Sequence, residues 1–394
     1  VTKEKDALGR STGTEEEEME RSKLLNQAAV FLMVLLFAPG SYAQFGLSSA
    51  VNVSFDDNIF NNYEAAHDQV SELYLGLSND FNTKRSNVQL YYDGSINYYR
   101  KNVSRTFHQH TAGISYSNVF GKNINTTLNL GAYFDAVFNR ADYSYLDTRN
   151  VSAFGNIKLY LSKRAAGLLG YRFGYIMFKE YPDLNYIDNT VITRVTGYLP
   201  SKTTLSFESN FGLKTYTEIF DLTMGQGRHG QSRMGSSSTE SVIQIAVSGR
   251  AAQSLFDLTG ISAGVRYQKN ITDESRFISS GTVMSGNDVF EDVYAYEGPA
   301  ADVSVTQGLP WDIMANISVS YQYKKYRNHP AYALNQIVIS GERIDHVTAA
   351  SISIEKDFKN LGFGLYYTYL NNNSNDAYYN FENNVFTIGL NAGF

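Results

Sequence analysis

Ile124-Asn125-Thr126-Thr127-Leu128-Asn129-Leu130-Gly131-Ala132-Tyr133-Phe134-Asp135-Ala136-Val137-Phe138 reads as two interleaved strings. One parity, Ile124, Thr126, Leu128, Leu130, Ala132, Phe134, Ala136 and Phe138, is largely apolar. The other carries Asn125, Thr127, Asn129, Gly131, Tyr133, Asp135 and Val137. A two-residue period places successive side chains on opposite faces of a β-strand, so this segment has one apolar and one polar face. Its length also matters, because strands of soluble sheets average roughly 5–6 residues whereas a tilted strand crossing a bilayer needs about 9–11.

The same pattern recurs from residue 44 to the end. Residues 203–216 set Leu205, Phe207, Phe211 and Leu213 against Thr204, Ser206, Glu208, Asn210 and Lys214. Residues 311–326 set Trp311, Ile313, Ala315, Ile317, Val319 and Tyr321 against Asp312, Asn316, Ser318, Ser320 and Gln322. Counting such segments gives about sixteen, beginning near 46–56 and including 292–306, 311–326, 343–356 and 384–394. Connections alternate between tight ones (121–123, 162–164, 201–202, 357–360) and longer ones near 56–69, 139–146, 179–187, 217–238, 269–291, 327–342 and 371–383. The connection at 101–105 breaks the rule, being short at the long-loop end. Short turns at one end and long loops at the other predict an all-β fold, an antiparallel up-and-down transmembrane β-barrel with its short turns periplasmic. Closure follows from the solvent, since a sheet in lipid cannot leave an edge unpaired.

Composition agrees and excludes alternatives. Tyr (30) and Phe (24) are abundant, and charged residues are 18% against roughly 25% in an ordinary soluble domain. The chain has no Cys, which removes disulfides, thiolate metal sites and cysteine catalysis. A mean hydropathy of -0.29 argues against a helical membrane protein, and a net charge of -6 argues against nucleic acid as a partner. Lys23, the apolar run Ala28–Ala38 and Ser41-Tyr42-Ala43 form the three parts of an export signal. The expected organisation is therefore an over-extended or disordered leader at 1–18, a signal peptide at 19–43 with Met19 as a start, and the barrel at 44–394. No plug domain is evident before the first strand, so an energised transporter is not expected.

The last segment, Asn384-Val385-Phe386-Thr387-Ile388-Gly389-Leu390-Asn391-Ala392-Gly393-Phe394, ends on an aromatic of its apolar parity. It resembles the C-terminal strand read by the bacterial outer-membrane assembly machinery, which implies Phe394 as the assembly signal. Near the start, Val53-Ser54-Phe55-Asp56-Asp57-Asn58-Ile59-Phe60 is similar to the outer-membrane β-barrel porin families, some of whose members accompany exopolysaccharide operons. The resemblance implies the bacterial outer membrane, and places Asp56, Asp57 and Asn58 as caps of the first hairpin. An ordinary Asx turn explains the same three residues.

A barrel of this size holds water, so function should sit on its inward parity. That parity supplies Lys158, Arg172, Arg194, Lys214, Arg250 and Arg266 from one run of strands, and Glu72, Asp93, Asp135, Asp302, Asp312 and Glu355 from the others. Glu208 and Lys324 break the segregation. The charges read either as a basic wall facing an acidic wall, or as scattered solvated groups partly neutralised by neighbours. The Gly-rich run 225–235 could fold inward as a constriction or stay external. In 269–291, Asp273, Glu274, Asp288 and Glu291 are solvated loop charges or, less simply, a cation site. Tyr98-Tyr99, Tyr366-Tyr367, Tyr378-Tyr379, Trp311 and Phe394 suit interfacial girdles. Tyr91, Tyr133, Tyr160, Tyr198 and Tyr216 could instead stack sugars in the lumen. His108 and His110 share a parity but lack a third ligand, so no metal or other cofactor is expected, and no residue is marked as a catalytic nucleophile. The expectation is a non-enzymatic pore for passive diffusion of small hydrophilic solutes, as a monomer or trimer. Its partners would be outer-membrane lipid and the assembly machinery. The alternative is a barrel accessory to exopolysaccharide or protein export and surface display.

Overall fold

A computed structural model describes residues 43–121, 126–218, 240–272, 292–335 and 337–394. The predicted leader up to Tyr42, the Gly-rich run 225–235 and the acids Asp273, Glu274, Asp288 and Glu291 lie outside them. Sixteen strands form one closed antiparallel barrel in which each strand pairs with its sequence neighbours and β1 closes on β16. They are β1 (Ala43–Asp56), β2 (Asp68–Asn82), β3 (Ser86–Tyr99), β4 (Phe107–Phe120), β5 (Thr126–Asn139), β6 (Thr148–Ser162), β7 (Ala165–Phe178) and β8 (Tyr186–Tyr198). The second half comprises β9 (Thr203–Tyr216), β10 (Ser241–Phe256), β11 (Thr259–Asn270), β12 (Gly298–Leu309), β13 (Ile313–Tyr332), β14 (Val338–Phe358), β15 (Leu361–Ser374) and β16 (Phe381–Gly393).

Three segments differ from their sequence reading. β12 begins at Gly298 rather than near 292. β13 begins at Ile313, because Pro310, with Trp311 and Asp312 at φ 66° and 58°, makes the turn before it. The long connection expected at 327–342 is mostly strand: β13 and β14 run to Tyr332 and restart at Val338, and their pairing shifts register around Pro330.

The apolar parity faces out. Leu73, Ile96, Phe134, Val195, Phe207, Ile317 and Leu390 are all exposed, and Val265 reaches 63%. That much bare hydrocarbon is tolerable only against lipid, so the fold is that of a transmembrane barrel. Phe256, Trp311, Phe358 and Phe394 ring the short-turn end on this exterior. Adjacent tyrosines cannot both join a girdle, because consecutive strand residues point oppositely. Tyr98 and Tyr367 are exposed, whereas Tyr99 is buried under the Arg105 guanidinium, 6.0 Å from its ring centroid.

Among the described residues dense packing is concentrated at the long-loop end, where Asn58, Asn62, Leu146, Tyr216, Val242, Gln268, Tyr326, Asp345 and Asp376 are almost fully buried. Part of that packing closes the seam between the first and last strands. Asp56 Oδ1 accepts the Asn58 amide at 2.8 Å, an Asx turn. Asp57 reaches across to β16, accepting Asn384 N at 2.7 Å and Asn384 Nδ2 at 2.8 Å. Asn58 Nδ2 donates to the carbonyls of Asn62 (2.7 Å) and Glu382 (3.0 Å), and Asn383 Nδ2 donates to Asn58 O at 3.1 Å. At the opposite end Leu47 and Phe394 exchange both backbone hydrogen bonds, at 3.0 and 2.8 Å. Truncating Asn58 to Ala takes this donor from the buried Asn62 carbonyl, at about 1–3 kcal/mol, and from the part-buried Glu382 carbonyl. The variant should therefore lose its compact, heat-modifiable gel mobility at a lower temperature than the parent, and an unchanged transition would show that the seam does not depend on this residue.

Candidate functional site in the lumen wall

Hydrogen-bonded registers fix which inward side chains share a level of the sheet. Lys158 on β6 pairs with Leu168, Leu168 with Arg194, Arg194 with Glu208, Glu208 with Ser248 and Ser248 with Arg266. One row across six strands thus carries three cations and one carboxylate. Arg194 Nε donates to Glu208 Oε2 at 2.7 Å, and the Lys158 ammonium lies 4.8 Å over the Tyr160 ring. Arg250 belongs to a neighbouring row, bonded to Ser262 at 2.8 Å and 3.8 Å from Asp302 on β12.

The acids occupy the other arc. Glu72, Asn52, Gly389, Gly364 and Glu355 follow one another in register from β2 through β1, β16 and β15 to β14. Asp93, Thr111 and Asp135 form a second row on β3–β5. These carboxylates are held by neutral donors: Asn52 Nδ2 to Glu72 at 2.8 Å, the Tyr74 hydroxyl to Asp93, and Thr111 Oγ1 to Asp135 at 2.7 Å. Strands eight positions apart lie opposite one another in a sixteen-strand ring, so β2 and β3 face β10 and β11. Asp312 does not line this wall. It sits in the β12–β13 turn at the short-turn rim, where the left-handed backbone removes it from the strand parity.

Arg172 and Lys214 belong to a structure not foreseen from sequence. Residues 292–297, ahead of β12, lie against the inner faces of β8–β11 as a strap. Gln244 Nε2 and Gln268 Nε2 donate to Val293 O at 2.6 and 3.0 Å. Gln268 also donates to Tyr296 O at 3.0 Å, and Asn270 Nδ2 to Tyr294 O at 2.8 Å. The Tyr294 hydroxyl donates to Asp188 Oδ1, and its ring occupies the space that a side chain at Gly212 would take. Burial, and then the Asp188 carboxylate, push the Tyr294 phenol above its ordinary range, which keeps it a donor. Arg172 holds the other Asp188 oxygen at 2.9 Å. Lys214 binds Asp292 at 2.5 Å and lies 4.1 and 4.7 Å from the ring centroids of Tyr186 and Tyr216. The strap turns into β12 at Gly298, whose φ of 146° and approach to the Tyr323 carbonyl leave no room for a Cβ.

Of the candidate lumen tyrosines, Tyr91 and Tyr133 flank Gly113 on the inner face, with the Tyr91 ring lying over that glycine. Tyr216 is 1% exposed and packs behind the strap rather than lining the channel. Sequence cues to the strap existed: long inward amides at Gln244, Gln268 and Asn270 beside the expected long connections, and a Gly298-Pro299 break inside an assumed strand.

A closed sixteen-strand barrel with an apolar exterior, a polar charged lumen and an internal strap defines a transmembrane barrel of the kind that encloses an aqueous passage. Residues 260–394, from β11 to the end, match the family model described as surface lipoprotein assembly modifier. No curated protein matches the chain. Among solved structures, it is similar to OpdK of Pseudomonas aeruginosa, crystallised with vanillate, at TM-score 0.48 and 10% identity over 89% of this chain and 98% of that one. OccAB1 of Acinetobacter baumannii gives TM-score 0.48 and 9% identity over 90% and 97% of the two chains. OprD of Pseudomonas aeruginosa gives 0.46 and 10% over 89% and 94%.

Proposed function

We propose that this chain is a bacterial outer-membrane channel for passive diffusion of small hydrophilic solutes, exported by a signal peptide at 19–43. The observation that carries the reading is the inward register of its charges. A row bearing Lys158, Arg194 and Arg266 faces carboxylates that carry neutral hydrogen-bond partners, while the strap narrows the outer half. Such a lining holds water and imposes a transverse field that orients dipolar solutes. Transport of this kind needs no catalytic group. The last strand ending in Phe394 supplies the segment for the assembly machinery, and the barrel works as a monomer or trimer. In planar bilayers the refolded 44–394 chain should give stepwise ohmic currents, and lasting electrical silence of inserted protein would overturn the reading.

A second reading, a barrel that assists surface display of lipoproteins, is favoured by the family-model match over β11–β16. It predicts that deleting the gene depletes a lipoprotein from the cell surface while leaving solute permeability unchanged. The channel reading predicts the reverse.

A further inference from the structure

On the exterior, His108 and His110 of β4 share the outward parity of Ile114, which is 46% exposed. His108 Nδ1 lies 2.8 Å from His110 Nε2, and His110 Nδ1 lies 2.7 Å from the Tyr92 hydroxyl. The Tyr92 phenol reaches that far across Gly94, a position where a Cβ would press on it. His108 stacks on Phe138 with 5.2 Å between ring centroids. In register, His110 is followed by Ala136 and then Arg149. Ala136 points outward yet is only 2% exposed, the floor of a patch between an imidazole and a guanidinium. Arg149 is exposed and has no ion-pair partner among the described residues. By contrast, the cations Lys325 and Arg327 on the outer part of β13 are paired with Glu342 (3.0 Å) and Glu297 (2.9 Å).

His108 and His110 are the second and fourth residues of β4 from its long-loop end. At about 2.5 Å of axial rise per tilted residue, they lie in the outermost ~10 Å of the strand, above an apolar band roughly 25 Å tall. That is the level of the outer-leaflet headgroups. The chain Tyr92–His110–His108 ends at His108 Nε2, which meets no acceptor or donor among the described residues. With the Tyr92 hydroxyl donating to His110 Nδ1 and His110 Nε2–H donating to His108 Nδ1, His108 Nε2–H is left as a free outward donor, and Arg149 adds a cation across Ala136.

We infer that His108, His110 and Arg149, backed by Tyr92 and Phe138, bind the phosphate of an anionic outer-leaflet lipid on the outside of the barrel. Charge-assisted hydrogen bonds from His108 Nε2 and the Arg149 guanidinium would hold the phosphate oxygens, with an acyl chain descending past Phe138. The inference rests on the membrane-spanning reading of the barrel. Failure of the full-length barrel to insert into bilayers would remove that reading as a separate result.

The test is native mass spectrometry of the detergent-solubilised full chain with diphosphoryl lipid A and its dephosphorylated form as probes. The parent should retain the phosphorylated lipid and shed the other. His108→Gln with Arg149→Gln should weaken retention by at least about tenfold, because it removes both charge-assisted hydrogen bonds and the loss of one alone accounts for roughly that factor. Arg149→Lys should retain part of the binding, and Lys269→Gln, an exposed outward cation of β11 remote from the patch, should retain all of it. Heat-modifiable mobility of each variant checks folding. Equal binding by the double variant, equal binding of the dephosphorylated lipid, or an equal loss on Lys269→Gln would overturn the site. So would a double variant that disrupts a dimer while holding lipid as well as the parent, because the patch would then belong to a second copy.

Discussion

Lys214→Met should produce a channel with larger and noisier conductance steps than the parent. Lys214 is buried between the rings of Tyr186 and Tyr216, and its ammonium is the ionic partner of Asp292 at the start of the strap. Removing one member of a buried pair leaves the other charge uncompensated, at about 3–5 kcal/mol. Asp292 can escape that penalty by leaving the wall, because it lies on a connection rather than a strand. Its departure takes Val293 and Tyr294 from Gln244, Gln268 and Asn270, and the outer half of the lumen widens. Met preserves most of the Lys214 volume, so the rings keep their packing and the barrel should still fold. Single-channel recording in planar bilayers checks this. Unchanged step size in a folded variant would mean that the neutral hydrogen bonds hold the strap unaided. Tyr294→Phe separates the contributions, since it removes the hydroxyl's bonds to Asp188 and Thr190 but leaves the Lys214–Asp292 pair in place, and it should have a smaller effect.

The strand pattern was legible because lipid enforces it. Each outward position in the hydrocarbon must be apolar, so a two-residue period runs through β5, β9 and β16 without exception long enough to hide it. Inward parity could be read for the same reason, which is why Lys158, Arg194 and Arg266 could be placed on one wall from sequence. What the period cannot encode is register between strands, and only register puts these three residues into one row with Glu208. Nor can it register departures from strand geometry. Asp312 has the right parity for the lumen, but Pro310 and the left-handed Trp311 end the count before it. The alternation at Tyr294 and Tyr296 looks like the start of β12, because a strap lying on a wall also points alternate side chains toward that wall. Gly298-Pro299 was the one local signal that separated the two. His108 and His110 were visible as a same-face pair, but their placement on the membrane side required the parity of Ile114 on the same strand.

Replacing Arg172, Arg194 and Arg266 together by Gln should shift the channel's ion preference toward cations. Each substitution removes one positive charge from the β7–β11 arc and leaves Glu208 and Asp188 without their guanidinium partners. The carboxylates of the opposite arc, Glu72, Asp93, Asp135 and Glu355, are untouched. The Arg194–Glu208 pair is partly exposed and contributes little to folding, and the buried Asp188 beneath half-exposed Arg172 keeps the Tyr294 and Thr190 hydroxyls as donors, so the barrel should still assemble. Under a tenfold salt gradient the reversal potential should move by on the order of 10 mV or more, out of the roughly 59 mV available to a monovalent ion. The shift should shrink as salt is raised, because screening acts over about 10 Å at 0.1 M but about 3 Å at 1 M. Asp93→Asn with Asp135→Asn should move the potential the other way, which distinguishes opposed walls from a uniform change in lumen charge. If the triple variant shows the parental reversal potential at low salt, the charges act as isolated, locally neutralised groups, and the row through Arg194, Glu208 and Arg266 has no part in selection.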